Sequence, residues 1–264
     1  MTDQIKIYMN IFTLAFQEIL YRPLLNLLVF LYQLPLIDFG LAILLLTILI
    51  KALLWPLNSK RIKAQQESQA KGEEFREKMK EIQEKYRDDK VRQNEEVMKL
   101  MKEMKYNPFA GFMPMIVQLV VLIALYQVLK IIIQPEGVSL LYGFISDPGP
   151  INPSFLGFLD LSQPSNSSLG GKALAVLTGV FQLLYFKASF ASRKKSSSKK
   201  KDRQLNGQEK QMESMQKIMQ NQMIYFFPIM TIFIAWSFPA ALSLYWLFST
   251  LISVIELKVV LKNS

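Results

Sequence analysis

Along this chain, long unbroken apolar runs alternate with stretches dense in charge. A helix of about 20 apolar residues spans the hydrocarbon core of a bilayer, and several runs here approach that length. Residues 39–57 are apolar except for Thr47 and Lys51. A second run covers 109–133, with Pro114 in its first turns, where a proline disturbs a helix least. The third, 173–191, is weaker and contains Gln182 and Lys187. The fourth, 223–261, is too long for one span and carries Pro239 in SFPAAL, which predicts two shorter helices meeting in a tight turn. The pattern predicts an all-α polytopic membrane protein with five transmembrane helices, at 38–57, 109–133, 173–191, 223–238 and 240–261.

Charge then orients the spans. Residues 58–108 hold fourteen Lys/Arg and 187–217 hold ten, whereas 134–171 hold none and the segment before the first span has only Lys6 and Arg22. Positive residues stay on the cytosolic side, so 58–108, 192–222 and the C-terminal tail are expected in the cytosol. The N-terminal segment 1–37 and the loop 134–172 are expected outside. Five spans require termini on opposite sides, and the charges agree. Within 21–34, Arg22, Asn26 and Gln33 form one polar stripe on an apolar helix, a pattern suited to the plane of the membrane interface. Residues 1–20 lack a basic n-region and a small-residue cleavage site, so no cleaved signal peptide is expected.

In 58–108 apolar residues recur at helical spacing: Phe75, Met79, Ile82 and Tyr86, then Val97, Leu100, Met101 and Met104, separated by RDDK at 87–90. This predicts a charged helical hairpin whose stripes pack on each other or dock a partner. SRKKSSSKKKDR at 192–203 reads as a solvated basic loop near anionic headgroups. Binding of RNA or a ribosome through phosphate electrostatics is the alternative, although no aromatic residues interleave the lysines. The formal charge of +10 is thereby assigned largely to cytosolic segments. The chain has neither cysteine nor histidine, which excludes disulfides, thiolate metal sites and histidine general bases.

Four blocks, TILIKALLWPLNSKRIKAQQ, YNPFAGFMPMIVQLVVLIALYQVL, FLGFLDLSQP and IYFFPIMTIFIAWSFPAALSLYWLFSTLI, resemble in order and spacing the YidC-type membrane protein insertases. The resemblance runs from about residue 20 to 260. It implies five core helices, an amphipathic helix on the outer face and a cytosolic hairpin. It also implies a hydrophilic groove, open to the cytosol and to lipid, with one cation from the first core helix. The implied function is that of a membrane protein insertase and chaperone without covalent chemistry or cofactor; the short length and the absence of a transit peptide favour a bacterial cell (inner) membrane over an organelle. Its implied partners are nascent membrane proteins and lipid, with the Sec translocon, ribosome and signal-recognition machinery as further candidates at the cytosolic loops. The usual groove arginine is here Lys51, a flexible point charge without arginine's bidentate fork. A common glycine is Ala241, and a common Asn and Gln are Ser249 and Glu256.

The physical argument stands beside the resemblance. Each unpaired backbone group of a polar segment crossing lipid costs several kcal/mol, and a wet cavity shortens that crossing. Lys51 lies about 9 Å by helical rise from the end of the apolar run, with Thr47 and Asn58 roughly on its face. A snorkelling lysine is the plainer reading of Lys51. Gln118 and Gln182 are read as groove-lining, or as hydrogen-bond bridges between helices. Tyr245 and Trp246 are read as groove-lining or as belt aromatics; Thr47 and Trp246 gain weight from the resemblance. Glu256 is read as interfacial, with an ion pair to Lys51 as the alternative. Two rival functions are a secondary transporter using Lys51 and Glu256, and a non-catalytic assembly scaffold. Neither a repeat between the halves nor matched broken helices support transport.

Overall fold

The computed structural model describes residues 14, 16–87, 89–104, 113–132, 139–191 and 222–262. The basic loop at 192–203 and the first 13 residues lie outside them. In chain order the helices are α1 (Arg22–Tyr32), α2 (Phe39–Lys85), α3 (Lys90–Glu103), α4 (Met113–Ile132), α5 (Leu169–Ala191), α6 (Phe227–Ser237) and α7 (Ala240–Lys262). Between α4 and α5 a two-stranded antiparallel hairpin pairs Ser154 with Asp160 and Phe155 with Leu159. Three segments are long and apolar enough to cross a membrane: Phe39–Ala64, Leu169–Ser189 and Ala240–Lys262. Ile116–Ile132 and Ile224–Ser237 are shorter apolar helices. This is a polytopic helical membrane protein.

The compositional break at residue 58 is not a structural one. α2 continues without interruption for 47 residues, about 70 Å at helical rise, so the first apolar run and the first arm of the hairpin are one helix. Asp38 starts it, its side chain accepting the Leu41 N–H at 2.7 Å, which satisfies one of the free donors of a first turn. The other carboxylate oxygen accepts the Leu156 N–H at 2.7 Å and ties the strand hairpin to the helix start. Pro56 lies inside α2 and cannot donate to the carbonyl one turn earlier. At the far end α2 turns at 86–89 into α3, whose cap is Asp89 on the Arg92 N–H at 3.0 Å. Phe75 and Leu100 are buried, while Met79, Ile82, Tyr86, Val97, Met101 and Met104 are half-buried. Across the turn Gln93 Nε2 donates to the Gln83 carbonyl at 3.2 Å.

The polar stripe on α1 is hydrogen-bonded to the loop at 140–146. Arg22 Nε and Asn26 Nδ2 both donate to the Leu140 carbonyl, at 3.2 and 3.1 Å. Asn26 Oδ1 accepts the Tyr142 N–H at 2.6 Å, and Gln33 Nε2 donates to the Ser146 carbonyl at 2.6 Å. The loop at 140–146 therefore covers the stripe that the sequence suggested for the membrane interface. Leu25, Leu28 and Val29 of α1 are fully buried in the core. Asn26→Leu would leave the Leu140 carbonyl one donor short and the Tyr142 N–H unpaired. Each orphaned buried group costs about 1–3 kcal/mol. Thermal unfolding in detergent is expected to show that loss, together with faster proteolysis at 140–146.

The turn around Pro239 is held by the loop before α5. Ser165 N–H donates to the Phe238 carbonyl at 2.9 Å, Ala240 N–H to Gln163 at 2.8 Å and Ala241 N–H to Leu161 at 3.0 Å. Ser243, buried on α7, bonds Ser165 Oγ at 2.8 Å, and its carbonyl accepts Thr178 Oγ1 at 3.2 Å. The main core gathers here: Phe39, Ile43 and Leu46 of α2, Leu125 and Val128 of α4, Leu161, and Leu242 of α7. It fills the half of the bundle nearest the 139–168 segment. The other half is packed differently.

Candidate functional site

In that other half the helices enclose a cavity of about 300 Å³. Every helix from α2 onward except α3 contributes to its wall. The register of α2 explains its share: Lys51, Leu54, Asn58 and Arg61 recur at helical spacing and lie on one face. On α7 the corresponding row is Tyr245, Ser249, Ser253 and Glu256. The two helices thus turn these polar rows toward the same space.

Lys51 is not alone there. Its ammonium donates to Ser253 Oγ at 2.6 Å and lies 3.8 Å from Glu256 Oε2. Glu256 is 3% exposed and also accepts Asn58 Nδ2 at 3.3 Å. Glu256 is buried within the protein, and the ion pair, the alternative weighed from sequence, is what forms. The pairing follows from cost, since a buried charge without a counter-ion is penalised by several kcal/mol. Ser253 Oγ donates its own hydrogen bond to the Ser249 carbonyl at 2.9 Å, which leaves its oxygen lone pairs free for the lysine.

Further along the wall, Ser249 Oγ donates to Gln118 Oε1 at 3.2 Å, and Thr250 Oγ1 lies 3.2 Å from Gln182 Oε1. Both glutamines are therefore bound to α7 and also line the cavity. Gln118 Nε2 is buried with no hydrogen-bond partner. Tyr245 is buried and Trp246 half-buried, and both line the cavity. Thr47 stands apart from this group. It is fully buried, its hydroxyl donates back to the Ile43 carbonyl at 2.7 Å, and it is not among the lining residues.

Arg61 escaped the sequence reading because it is one of fourteen basic residues in a stretch assigned to the cytosol. Its spacing from Lys51 and Asn58 was the available signal. Two guanidinium nitrogens, Nε and Nη1, are buried with no hydrogen-bond partner. The wall thus carries two cations, Lys51 and Arg61, against one carboxylate, Glu256, and its net charge is a single positive one. Among the described residues no cluster of His, Cys, Asp or Glu could hold a metal ion. Such a site can accept acceptor-rich, negatively charged or neutral polar groups.

A family model described as 60Kd inner membrane protein matches residues 30–264. Proteins named membrane protein insertase YidC are similar along most of the chain. The one from Beijerinckia indica is 30% identical over 230 residues, covering 86% of this chain and 34% of its own length. The one from Fusobacterium nucleatum is 31% identical over 226 residues, covering 86% of this chain and 87% of its own length. The one from Brucella melitensis is 30% identical over 230 residues, covering 86% and 33%. This chain spans about a third of the length of the first and last of these, and most of the second.

Proposed function

Because this chain belongs to the 60Kd inner membrane protein family, the YidC family of non-enzymatic membrane insertases, we propose that it inserts membrane proteins through the cavity between α2, α4, α5, α6 and α7. The observation that carries this reading is a polar, net positive wall inside a bundle of apolar helices. Polar segments of a nascent chain enter the cavity and so cross a shorter dry distance, which lowers the cost of their unpaired backbone groups. The net positive charge of the wall compensates acidic segments during the crossing. Hydrophobic segments move from the wall into lipid.

Five spans with the N-terminus outside, the hairpin of α2 and α3 in the cytosol and α7 ending in the cytosol complete the proposal. The distribution of Lys and Arg supports that orientation. The packed core lies on the outer side in this arrangement and the cavity on the cytosolic side, so polar segments enter from where they are synthesised. The cytosolic loops are the proposed contacts for translocon or ribosome.

Complementation of cells depleted of their own insertase tests the reading. Wild type and Lys51→Arg are expected to restore insertion of substrates with acidic translocated segments. Lys51→Ala is expected to lose it, with insertion scored per molecule of insertase in the membrane. Normal insertion by Lys51→Ala would remove this charge from the mechanism. The buried Lys51–Glu256 pair is the feature a transporter would use as well. Labelling of cavity residues alternately from both sides of the membrane would favour that second reading.

A further inference from the structure

The two cations of the wall do not stand in equivalent positions. Lys51 is closed into a unit with Ser253 and Glu256, and Asn58 holds the far side of the same carboxylate. That unit is neutral. The net positive charge of the wall is therefore carried at Arg61, ten residues on along α2 and within electrostatic reach of Lys51, Glu256 and Tyr185. Arg61 lies toward the end of the candidate span, where α2 leaves its apolar segment for its charged arm. A guanidinium is charged at every pH the protein meets, and Nε and Nη1 of this one have no hydrogen-bond partner.

We propose that Arg61 is the residue on which a carboxylate of the inserting chain docks, while Lys51 is held by its internal counter-ion Glu256. This deepens the insertase reading and rests on it. An unmade hydrogen bond at a buried charged donor is a standing penalty, and a guest carboxylate removes it with a charge-assisted bond. Glu256, already engaged by Lys51 and Asn58, does not fill that role. Gln118 Nε2, also without a partner, offers a neutral donor deeper in the wall and suits the carbonyls that every peptide segment brings. The acceptor-rich character of the guest and the donor-rich character of the wall match.

The test uses the whole chain in membranes and one single-spanning substrate in three forms, whose short translocated segment carries two Asp, two Asn or two Lys. Arg61→Gln is expected to lower insertion of the Asp form at least about tenfold, the effect of losing one charge-assisted bond, and to spare the Asn form. Arg61→Lys is expected to recover most of the loss. Arg61→Glu is expected to invert the order, so that the Lys form inserts better than the Asp form. A purely structural arginine would not produce that inversion. Wild-type insertion of the Asp form by Arg61→Gln would overturn the assignment, and so would an equal loss of the Asp and Asn forms. If wild type inserted none of the three, the insertase reading itself would fail, not the role of Arg61.

Discussion

Glu256→Gln is expected to destabilise the detergent-solubilised protein by about 3–5 kcal/mol, the cost of breaking a buried ion pair from one side. The carboxylate lies 3.8 Å from Lys51 and is 3% exposed. Its loss leaves two cations, Lys51 and Arg61, facing one cavity with no counter-charge in the wall. Lys51→Gln is expected to cost less. The carboxylate then keeps the Asn58 amide at 3.3 Å and still shares the wall with Arg61. The two substitutions together are expected to cost clearly less than their sum, because neither charge is then abandoned. Thermal unfolding of the four proteins gives the coupling. Strictly additive losses would mean that the pair is too solvated to matter.

Gly179→Val is the second large effect. At Gly179 an added Cβ would meet the Ile232 side chain and would come within 2.9 Å of the Pro228 carbonyl oxygen. Glycine thus lets α5 and α6 approach, as small residues do between membrane helices. A side chain there forces the backbones apart, and overpacking of a tight contact costs about 1–3 kcal/mol, sometimes more. Gly179→Ala is expected to show the lower part of that range and Gly179→Val to exceed it. Ile232→Ala should recover part of the loss, because it clears the side chain but leaves the Pro228 carbonyl in place. The yield of folded protein and its melting temperature provide the readout. A valine variant as stable as wild type would show that the helices can separate without penalty.

Much of the helical layout lies open in the hydropathy pattern, for a simple reason. Runs of apolar residues are local, and the long apolar helices of the structure overlap them. The turn around Pro239 is equally local, since a proline there has no helical donor to offer. What is not legible is whatever depends on distant partners. The stripe on α1 is polar whether it faces headgroups or a loop, and only the fold brings Leu140 and Tyr142 to Asn26, more than 110 positions away. The continuity of α2 was hidden by a change of composition at residue 58 that left the backbone unaffected.

The site divides in the same way. Lys51 drew attention because a charge inside an apolar run is costly. Arg61 did not, because its neighbours are charged too. Glu256 stands 205 positions from Lys51 in the chain, near the end of a helix, and by position alone an exposed carboxylate is the ordinary expectation. Polar rows on α2 and α7 recur at the same period, and placing them side by side would have suggested that they face each other. Thr47 shares the row of Lys51, yet it belongs to the packed half of the bundle and not to the cavity.

One helix forms both the wall of the cavity and the longer arm of the charged hairpin, and this makes α2 a lever. About 36 Å of helix extends beyond Arg61 to Lys85, so a few degrees of tilt moves its tip by an ångström or two. The natural fulcrum is Pro56, where one hydrogen bond of the helix is already missing. It lies between Lys51 on one side and Asn58 and Arg61 on the other. A load on the hairpin therefore reaches the two cations unequally. It swings Arg61 with the arm and leaves Lys51 anchored to α7, so the spacing of the charges in the wall becomes a mechanical variable.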